Sequence, residues 1–271
     1  MAQGARNPQA AGRTRQVALI TGASSGIGCA TARTLLGAGF QVSGMARNEA
    51  RLAQLEAQTR DLPGDFLACP GDVTQAEASG EAVERTVARF GRLDILIANA
   101  GVGLRGDLVD SEWASLETLL RTNIDGVLHS LRAAVPAMRA GGGGHIITVS
   151  SVAAPLVLPY IAAYAASKAF VSSIAHSLRL ELEDDHILVT DLLPGRTATE
   201  FDARRLGSGP REVGSRLPVM PAEEVAAAIL QVIRRPRRSV TLRHFDRLVL
   251  LAGRLAPDVV GRVARRQYRQ R

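Results

Sequence analysis

The stretch VALITGASSGIG, residues 17–28, decides how the rest of the chain is read. Val17–Thr21 is an apolar, β-favouring run with the length of a buried strand. Glycines follow at positions 22, 26 and 28, and a segment of helical period then runs to about Ala38. A turn that lays backbone N–H groups against a pyrophosphate has no room for Cβ atoms at its closest points, and the helix N-terminus behind it favours negative charge. Gly22, Gly26 and Gly28 meet that need. Their place between a first strand and a first helix separates them from a chance triplet in a chain with 26 glycines.

The same letters hold a competing pattern. Gly22-Ala23-Ser24-Ser25-Gly26 fits the nucleophile elbow of α/β-hydrolases, with Ser24 as nucleophile. That reading puts the nucleophile on the very first strand and leaves Gly28 without a task, so the phosphate turn is preferred.

Outward from this turn, strand-sized apolar runs alternate with longer helical segments. Strands are expected at Val17–Thr21, Gln41–Ala46, Asp65–Cys69, Leu93–Ala98, His145–Ser150, Ile187–Leu193 and Ser239–Leu242. Helices lie between them. One opens at Thr74, which has capping-box spacing to Glu77, one fills Ser111–Met138, and one fills Pro159–Leu182. The alternation predicts an α/β fold, a doubly wound parallel sheet of about seven strands with helices on both faces, binding its ligand at the strand carboxyl ends. Residues 16–242 read as a single domain, preceded by a flexible tail, 1–15. Gly141–Gly144 is a turn entering a strand, whereas residues 195–220, rich in Gly, Ser, Arg and Pro, read as a mobile lid over the site.

Composition fits an ordinary globular protein, with 46% apolar and 22% charged residues. Cys29 and Cys69 have no metal-type spacing, and reduced thiols in the cytoplasm are the simplest expectation. Residues 1–15 are too polar for a signal peptide, and no stretch is long enough to span a bilayer. The net charge of +7 is uneven. From Arg234 onward twelve arginines face Asp246 and Asp258 alone, so the preceding 233 residues are net acidic by three.

Two further places carry chemistry. The second strand ends in Ala46-Arg47, at the point roughly 20 residues past the glycine turn where an acidic residue would bind an adenosine ribose. An arginine there accommodates a 2′-phosphate, so NADP(H) is preferred over NAD(H). Tyr164 and Lys168 are spaced i, i+4, so a helix stacks them on one face. A phenol titrates near pH 10, and a nearby ammonium draws it toward the working range. Lys168 is the only lysine in a chain with 33 Lys plus Arg residues. A compact ammonium therefore stands where the sequence elsewhere writes arginine.

TGxxxGxG at 21–28, Asp72-Val73, NAG at 99–101, Asn123, a serine 13 residues before Tyr164, YxxxK at 164–168 and Pro194-Gly195 together resemble the short-chain dehydrogenase/reductase family. The resemblance runs from about Gln16 to Ile233, in the family's single-domain branch with a Rossmann-like fold. It implies a Ser-Tyr-Lys-Asn tetrad. Tyr164 would be the general acid in carbonyl reduction and the base in alcohol oxidation, Lys168 would bind the nicotinamide ribose and lower the phenol's pKa, Ser151 would hold the substrate oxygen, and Asn123 would complete a proton relay. Strand alternation and spacing favour Ser151 over Ser150. The resemblance further implies cofactor contacts from Gly22, Ser24, Ser25, Gly26, Ile27, Gly28, Arg47, Asp72, Val73, Asn99, Ala100, Gly101, Pro194, Gly195, Thr197 and Thr199, beside Tyr164 and Lys168. No metal is implied. Thr148 stands where the family frequently has asparagine. The family's usual ending, a strand and a short glycine-containing tail, is replaced by residues 234–271.

The segments expected around a substrate, Val152–Tyr160, Val102–Leu104 and the lid residues Phe201, Leu206, Leu217 and Met220, are almost all apolar. They fit a hydrophobic ketone, aldehyde or secondary alcohol. The extension 243–271 places apolar residues at helical intervals among arginines, with Pro257 between two short helices. It fits packing on its own domain or a sister subunit in a homodimer or homotetramer, and secondarily peripheral contact with a membrane surface. Nucleic-acid binding is not expected, because aromatics are sparse and no reading motif is present. The rival functions are an epimerase or dehydratase on the same fold and a non-catalytic cofactor-sensing partner.

Overall fold

The computed structural model describes residues 15–207 and 219–269. Residues 1–14 of the expected N-terminal tail, and residues 208–218 of the expected lid with Leu217 among them, lie outside the described residues. In chain order the elements are β1 (Val17–Thr21), α1 (Gly26–Gly37), β2 (Gln41–Ala46), α2 (Glu49–Thr59), β3 (Phe66–Pro70), α3 (Ala76–Phe90), β4 (Ile95–Ala98), α4 (Trp113–Leu120), α5 (Gly126–Ala140), β5 (Gly144–Val149), α6 (Ala162–Glu181), β6 (Ile187–Leu193), β7 (Thr197–Ala198), β8 (Met220–Pro221), α7 (Ala222–Arg234), β9 (Ser239–Thr241), α8 (His244–Leu255) and α9 (Pro257–Arg269).

Seven strands form one sheet in the order β3-β2-β1-β4-β5-β6-β9, all parallel. All five residues of β1 are buried, as a parallel strand covered on both faces requires. One face packs Ile20, Ile97 and Leu192 with α1, α2 and α7, and the other packs Leu19, Leu96 and Ile146 with α3, α5 and α6. The strand order reverses between β1 and β4, so the crevice at their carboxyl ends is the topological switch point where such sheets bind ligands. This is the Rossmann-like doubly wound sheet that the strand-helix alternation predicts.

The differences from the sequence reading are local. β4 starts at Ile95 because Asp94 is occupied as a tie: its Oδ2 accepts from Val17 N at 2.8 Å and its backbone N–H donates to Val17 O at 3.0 Å. The capping box at Thr74 does not form. Asp72 Oδ1 accepts from Thr74 N at 3.0 Å instead, the chain turns once more, and α3 begins at Ala76 with Gln75 in the capping place. The long helix expected over Ser111–Met138 is interrupted by a π-helical turn, Arg121–Asp125, between α4 and α5. A one-residue excess of this kind shifts the face a helix presents, and it falls on Asn123.

Candidate active site

The glycine turn shows why its residues are glycines. Gly22 and Gly26 have φ of +70° and +52°, in the left-handed region. A Cβ on Gly28 would lie 2.3 Å from Gly22 O and 2.7 Å from Asn99 Nδ2. The turn is held from outside by Gly22 N donating to Met45 O at 2.8 Å. Asn99 Nδ2 donates to Thr21 O at 2.8 Å, and Thr21 Oγ1 accepts from the N–H groups of Asn99 and Ala100, both at 3.0 Å. Behind the turn α1 starts after Ser25, which makes no side-chain cap, and its first turn holds no acidic residue. That helix N-terminus, uncapped by Ser25 and facing the cleft through Ser24, Ser25, Gly26 and Ile27, fits a pyrophosphate.

Ser24, Ser25, Gly26 and Ile27 line a cleft of about 1490 Å³ together with Arg47, Asp72, Val73, Gly101, Pro194, Gly195, Thr197 and Thr199. At its far end Ala46 is buried, and no carboxylate stands at the close of β2. Arg47 is exposed (69%) and lies 3.9 Å from Asp72 Oδ2. Asn48 caps α2 by accepting from Arg51 N at 2.9 Å. Val73 accepts from the His129 ring at 2.9 Å and packs on Gly126, which fixes the wall beneath Asp72.

At the other end the reacting groups gather. Tyr164 and Lys168 sit on α6, and Ser151 follows β5. Lys168 is 5% exposed; its Nζ donates to Val149 O at 2.9 Å, and burial lowers its pKa to about 8, opposed by the charge of Asp191. Gly101 makes room here, since a Cβ would come within 3.3 Å of Nζ and 3.2 Å of Asn123 Oδ1. Ser150 Oγ is spent on Leu192 O at 3.1 Å, whereas Ser151 Oγ accepts from Ala153 N at 3.1 Å and keeps its own proton to donate into the cleft. Asn123, 1% exposed, clamps Val102 from both sides, accepting from its N–H at 2.8 Å and donating to its carbonyl at 3.0 Å. Its second amide hydrogen goes to Ser167 Oγ at 3.0 Å, and Ser167 donates to Tyr164 O at 2.7 Å. The side chain is thus a brace, with its oxygen and both amide hydrogens committed to Val102 and Ser167.

The segment from Pro194 to Leu206 brings the expected Thr197, Thr199, Phe201 and Leu206 to the cleft and adds Glu200 and Arg204, which the sequence reading passed over. Thr199 lies against the glycine turn, where a Cβ on Gly26 would meet its Cγ2 at 3.1 Å, while Thr197 Oγ1 donates to Gly195 O at 3.0 Å. Glu200 reaches back to Arg51 Nη1 at 2.8 Å and pairs with Arg204, which in turn donates to Ser25 Oγ at 3.4 Å. Leu206 pairs with the backbone beside Leu104, and the Phe201 ring stands 5.8 Å from that of Tyr164. These partners are 149 and 179 residues apart for Glu200 and Arg204, and no local signal joins them.

The extension forms the remaining wall. Val152 N donates to Pro194 O at 3.1 Å, and Gly195 sits against the Arg243–Asp246 ion pair of α8, where a Cβ would lie 2.6 Å from both. Val249, Ala252, Val260 and Ala264 of α8 and α9 line the cleft opposite Leu104, Leu156 and Leu158. Gly253 and Gly261 let the two helices close on Leu156 and Val157.

A family profile described as short chain dehydrogenase matches residues 16–207. The chain belongs to the short-chain dehydrogenase family. An uncharacterised oxidoreductase of Staphylococcus saprophyticus is 34% identical over 222 residues, 82% of this chain and 92% of that relative. An alcohol dehydrogenase from Thermococcus sibiricus, solved with 5-hydroxy-NADP, superposes with a TM-score of 0.75 at 27% identity, over 84% of this chain and 96% of its own. A 3-ketoacyl-(acyl-carrier-protein) reductase from Brucella melitensis, solved with NADH, gives 0.73 at 27% identity, over 80% and 90%. This short-chain dehydrogenase is accordingly an NAD(P)-dependent oxidoreductase. Among the described residues no helix is long and apolar enough to cross a membrane, and no cluster of metal-ligating side chains occurs.

Proposed function

We propose that the protein interconverts a hydrophobic ketone or aldehyde and its alcohol with NADP(H). The observation that carries this is the apolar part of the cleft: beside the polar pole of Ser151, Tyr164 and Lys168 it is lined by Leu104, Leu156, Leu158, Phe201, Val249 and Val260, among charged lining residues that include Arg105, Arg196 and Arg205. A bound nicotinamide supplies or accepts the hydride. Ser151 donates a hydrogen bond from its hydroxyl to the substrate oxygen. Tyr164 gives that oxygen a proton in reduction and removes it in oxidation, and the Lys168 ammonium one helical turn away eases the phenol's ionisation. Phe201 and the apolar helices keep water from the pocket, which strengthens each of these polar contacts.

Preference for NADP(H) is supported by the absence of a carboxylate at the end of β2 and by Arg47 and Arg51 beside the capped start of α2. Structures of relatives hold both cofactor types, so the choice rests on these residues. The test is a panel of hydrophobic carbonyls and alcohols assayed at the nicotinamide absorbance with each cofactor. Turnover with higher kcat/KM for NADPH is expected. Inactivity across the panel, with cofactor still bound, favours the sensor reading.

The outer face of the extension supports contact with an anionic lipid surface. Leu248, Leu251 and Leu255 form an exposed ridge at i, i+3, i+7, flanked by Arg247 and Arg254. Sedimentation with anionic but not neutral vesicles is expected, and loss of it in a Leu248→Ser/Leu251→Ser variant; equal sedimentation of that variant removes the idea.

A further inference from the structure

The substrate cleft has an edge that is also outer surface. Phe245 of α8 and Val259 and Val263 of α9 line the cleft, yet they are 41%, 53% and 60% exposed, and Ala252 of the same lining is exposed as well. Val157 is exposed beside them, against Gly261, where a Cβ would lie 3.1 Å from its Cγ1. Apolar surface left in water is unfavourable, and a doorway used by a substrate arriving from water has no need of it.

The edge continues onto the exposed ridge without a break. At 3.6 residues per turn, Leu251, Leu255 and Leu248 lie side by side around α8, Ala252, Phe245 and Val249 occupy the next arc, and the seated Gly253 and Asp246 come after them. His244, at the first position of the helix, is the only polar residue within the two apolar arcs. Arg254 and Arg247 lie on the ridge's other flank. On α9 the arrangement repeats: Ala264 is buried, Val260, Val263 and Val259 follow around the helix, and the exposed Arg266 and Arg262 come next. The two helices thus present an apolar strip that runs from open surface into the cleft, with arginines along its outer border.

We propose that this strip is a portal through which the substrate enters from an anionic lipid bilayer; this rests on the lipid contact and the carbonyl chemistry proposed above. The substrate is then a membrane-resident amphiphile, a long-chain ketone, aldehyde or alcohol. Its reactive carbon reaches Ser151 and Tyr164, and its hydrocarbon tail runs along Leu156, Val249 and Val260 and leaves the cleft past Phe245, Val259 and Val263. A tail that passes from lipid to the strip is never exposed to water. Charge selects the surface: Arg247, Arg254, Arg262, Arg265 and Arg266 are exposed on the two helices, against Asp258 as the one exposed carboxylate among their described residues.

The single tryptophan, Trp113, makes the portal testable. In a Trp113→Phe background, Leu251→Trp reports the ridge and Val263→Trp reports the rim. Each protein is mixed with vesicles of phosphatidylglycerol and phosphatidylcholine whose acyl chains are brominated, and each should lose most of its fluorescence. Quenching of Leu251→Trp alone overturns the portal and leaves the lipid contact standing; quenching of neither overturns both. A dimer in sedimentation velocity whose Val263→Trp stays unquenched overturns the portal by placing a second copy on the strip. The kinetic arm uses methyl ketones of increasing chain length dissolved in the same vesicles without bromine. With NADPH, kcat/KM should rise about fourfold for each methylene buried along the strip. The Leu248→Ser/Leu251→Ser variant, changed outside the cleft, should lose most of its rate on the long members in vesicles and keep its rate on a short member in water. A flat series, or equal rates for variant and wild type on the vesicle-borne ketones, overturns the substrate class. Turnover of no ketone at all counts against the proposed function and takes the substrate class with it, and continued quenching of Val263→Trp distinguishes that outcome from a failed portal.

Discussion

Replacement of Lys168 tests the link between burial and chemistry at one atom. Burial lowers its pKa from the usual 10.5 to about 8, so the folded protein releases this proton while the unfolded chain still holds it. With more protons on the unfolded state, stability rises with pH across the interval between the two values. Below pH 8 both states are protonated and the full cost of the buried ammonium is present, about 3 kcal/mol for a shift of this size. Between pH 7 and 9.5 the lysine should add about 2 kcal/mol to the unfolding free energy. Lys168→Met, which cannot titrate, removes that rise. Lys168→Arg removes it too, because a guanidinium stays charged and must fit beside Gly101, Asn123 and Val149 O. Urea unfolding at pH 7, 8 and 9.5 for the three proteins measures the difference curve directly. On the proposed function, turnover at pH 7 should fall by on the order of 10²-fold or more in both variants, since methionine removes the charge that eases ionisation of Tyr164 and the planar guanidinium of arginine cannot take the ammonium's seat on Val149 O. A wild-type curve parallel to that of Lys168→Met, or a Lys168→Arg protein with near-normal turnover, would refute the reasoning.

The remaining predictions bear on the two ends of the cleft. Gly28→Ala puts a Cβ 2.3 Å from Gly22 O, so cofactor affinity measured by NADPH fluorescence should drop by about 100-fold. Gly37→Ala, with nothing within 4 Å, should leave affinity unchanged and stabilise the protein by up to about 1 kcal/mol. Ser151→Ala should lose at least about 100-fold in kcat. Ser150→Ala, whose hydroxyl is committed to Leu192 O, should lose stability and little activity, and the reverse pattern would overturn the assignment. Glu200→Gln releases Arg51 and Arg204 from their ion pairs and should lower KM for NADPH a few-fold relative to NADH; equal change for both would show that these arginines do not meet the 2′-phosphate.

What was legible in the sequence shares one property, closeness along the chain. The β1 strand, its turn and α1 are specified within 21 residues, and the glycine spacing follows from Cβ clashes inside that same turn. Tyr164 and Lys168 share a helix, so four residues of spacing suffice to place them. Local rules also mislead where they compete. Thr74 and Glu77 have the spacing of a capping box, but Asp72 two residues earlier captures the Thr74 N–H first and moves the helix start.

The illegible part is made by distance. Glu200 meets Arg51, Arg204 meets Ser25, and Gly195 meets the Arg243–Asp246 pair, each contact created by where the sheet order puts its strand ends. The extension shows why pattern alone could not decide its role. Its helices have two apolar faces, one turned into the cleft through Val249, Ala252 and Val260 and one turned outward through Leu248, Leu251 and Leu255. A helical period reports that apolar residues recur, not what covers each of them. The seat at Gly195 marks which face points inward: Asp246 is buried there in its pair with Arg243, and the same face of α8 brings Val249 and Ala252 to the cleft. The same ion pair that anchors the extension therefore shapes the apolar wall, and on the proposed function Asp246→Asn should flatten the preference for hydrophobic over small polar carbonyls in a kcat/KM panel, an unchanged preference refuting the link.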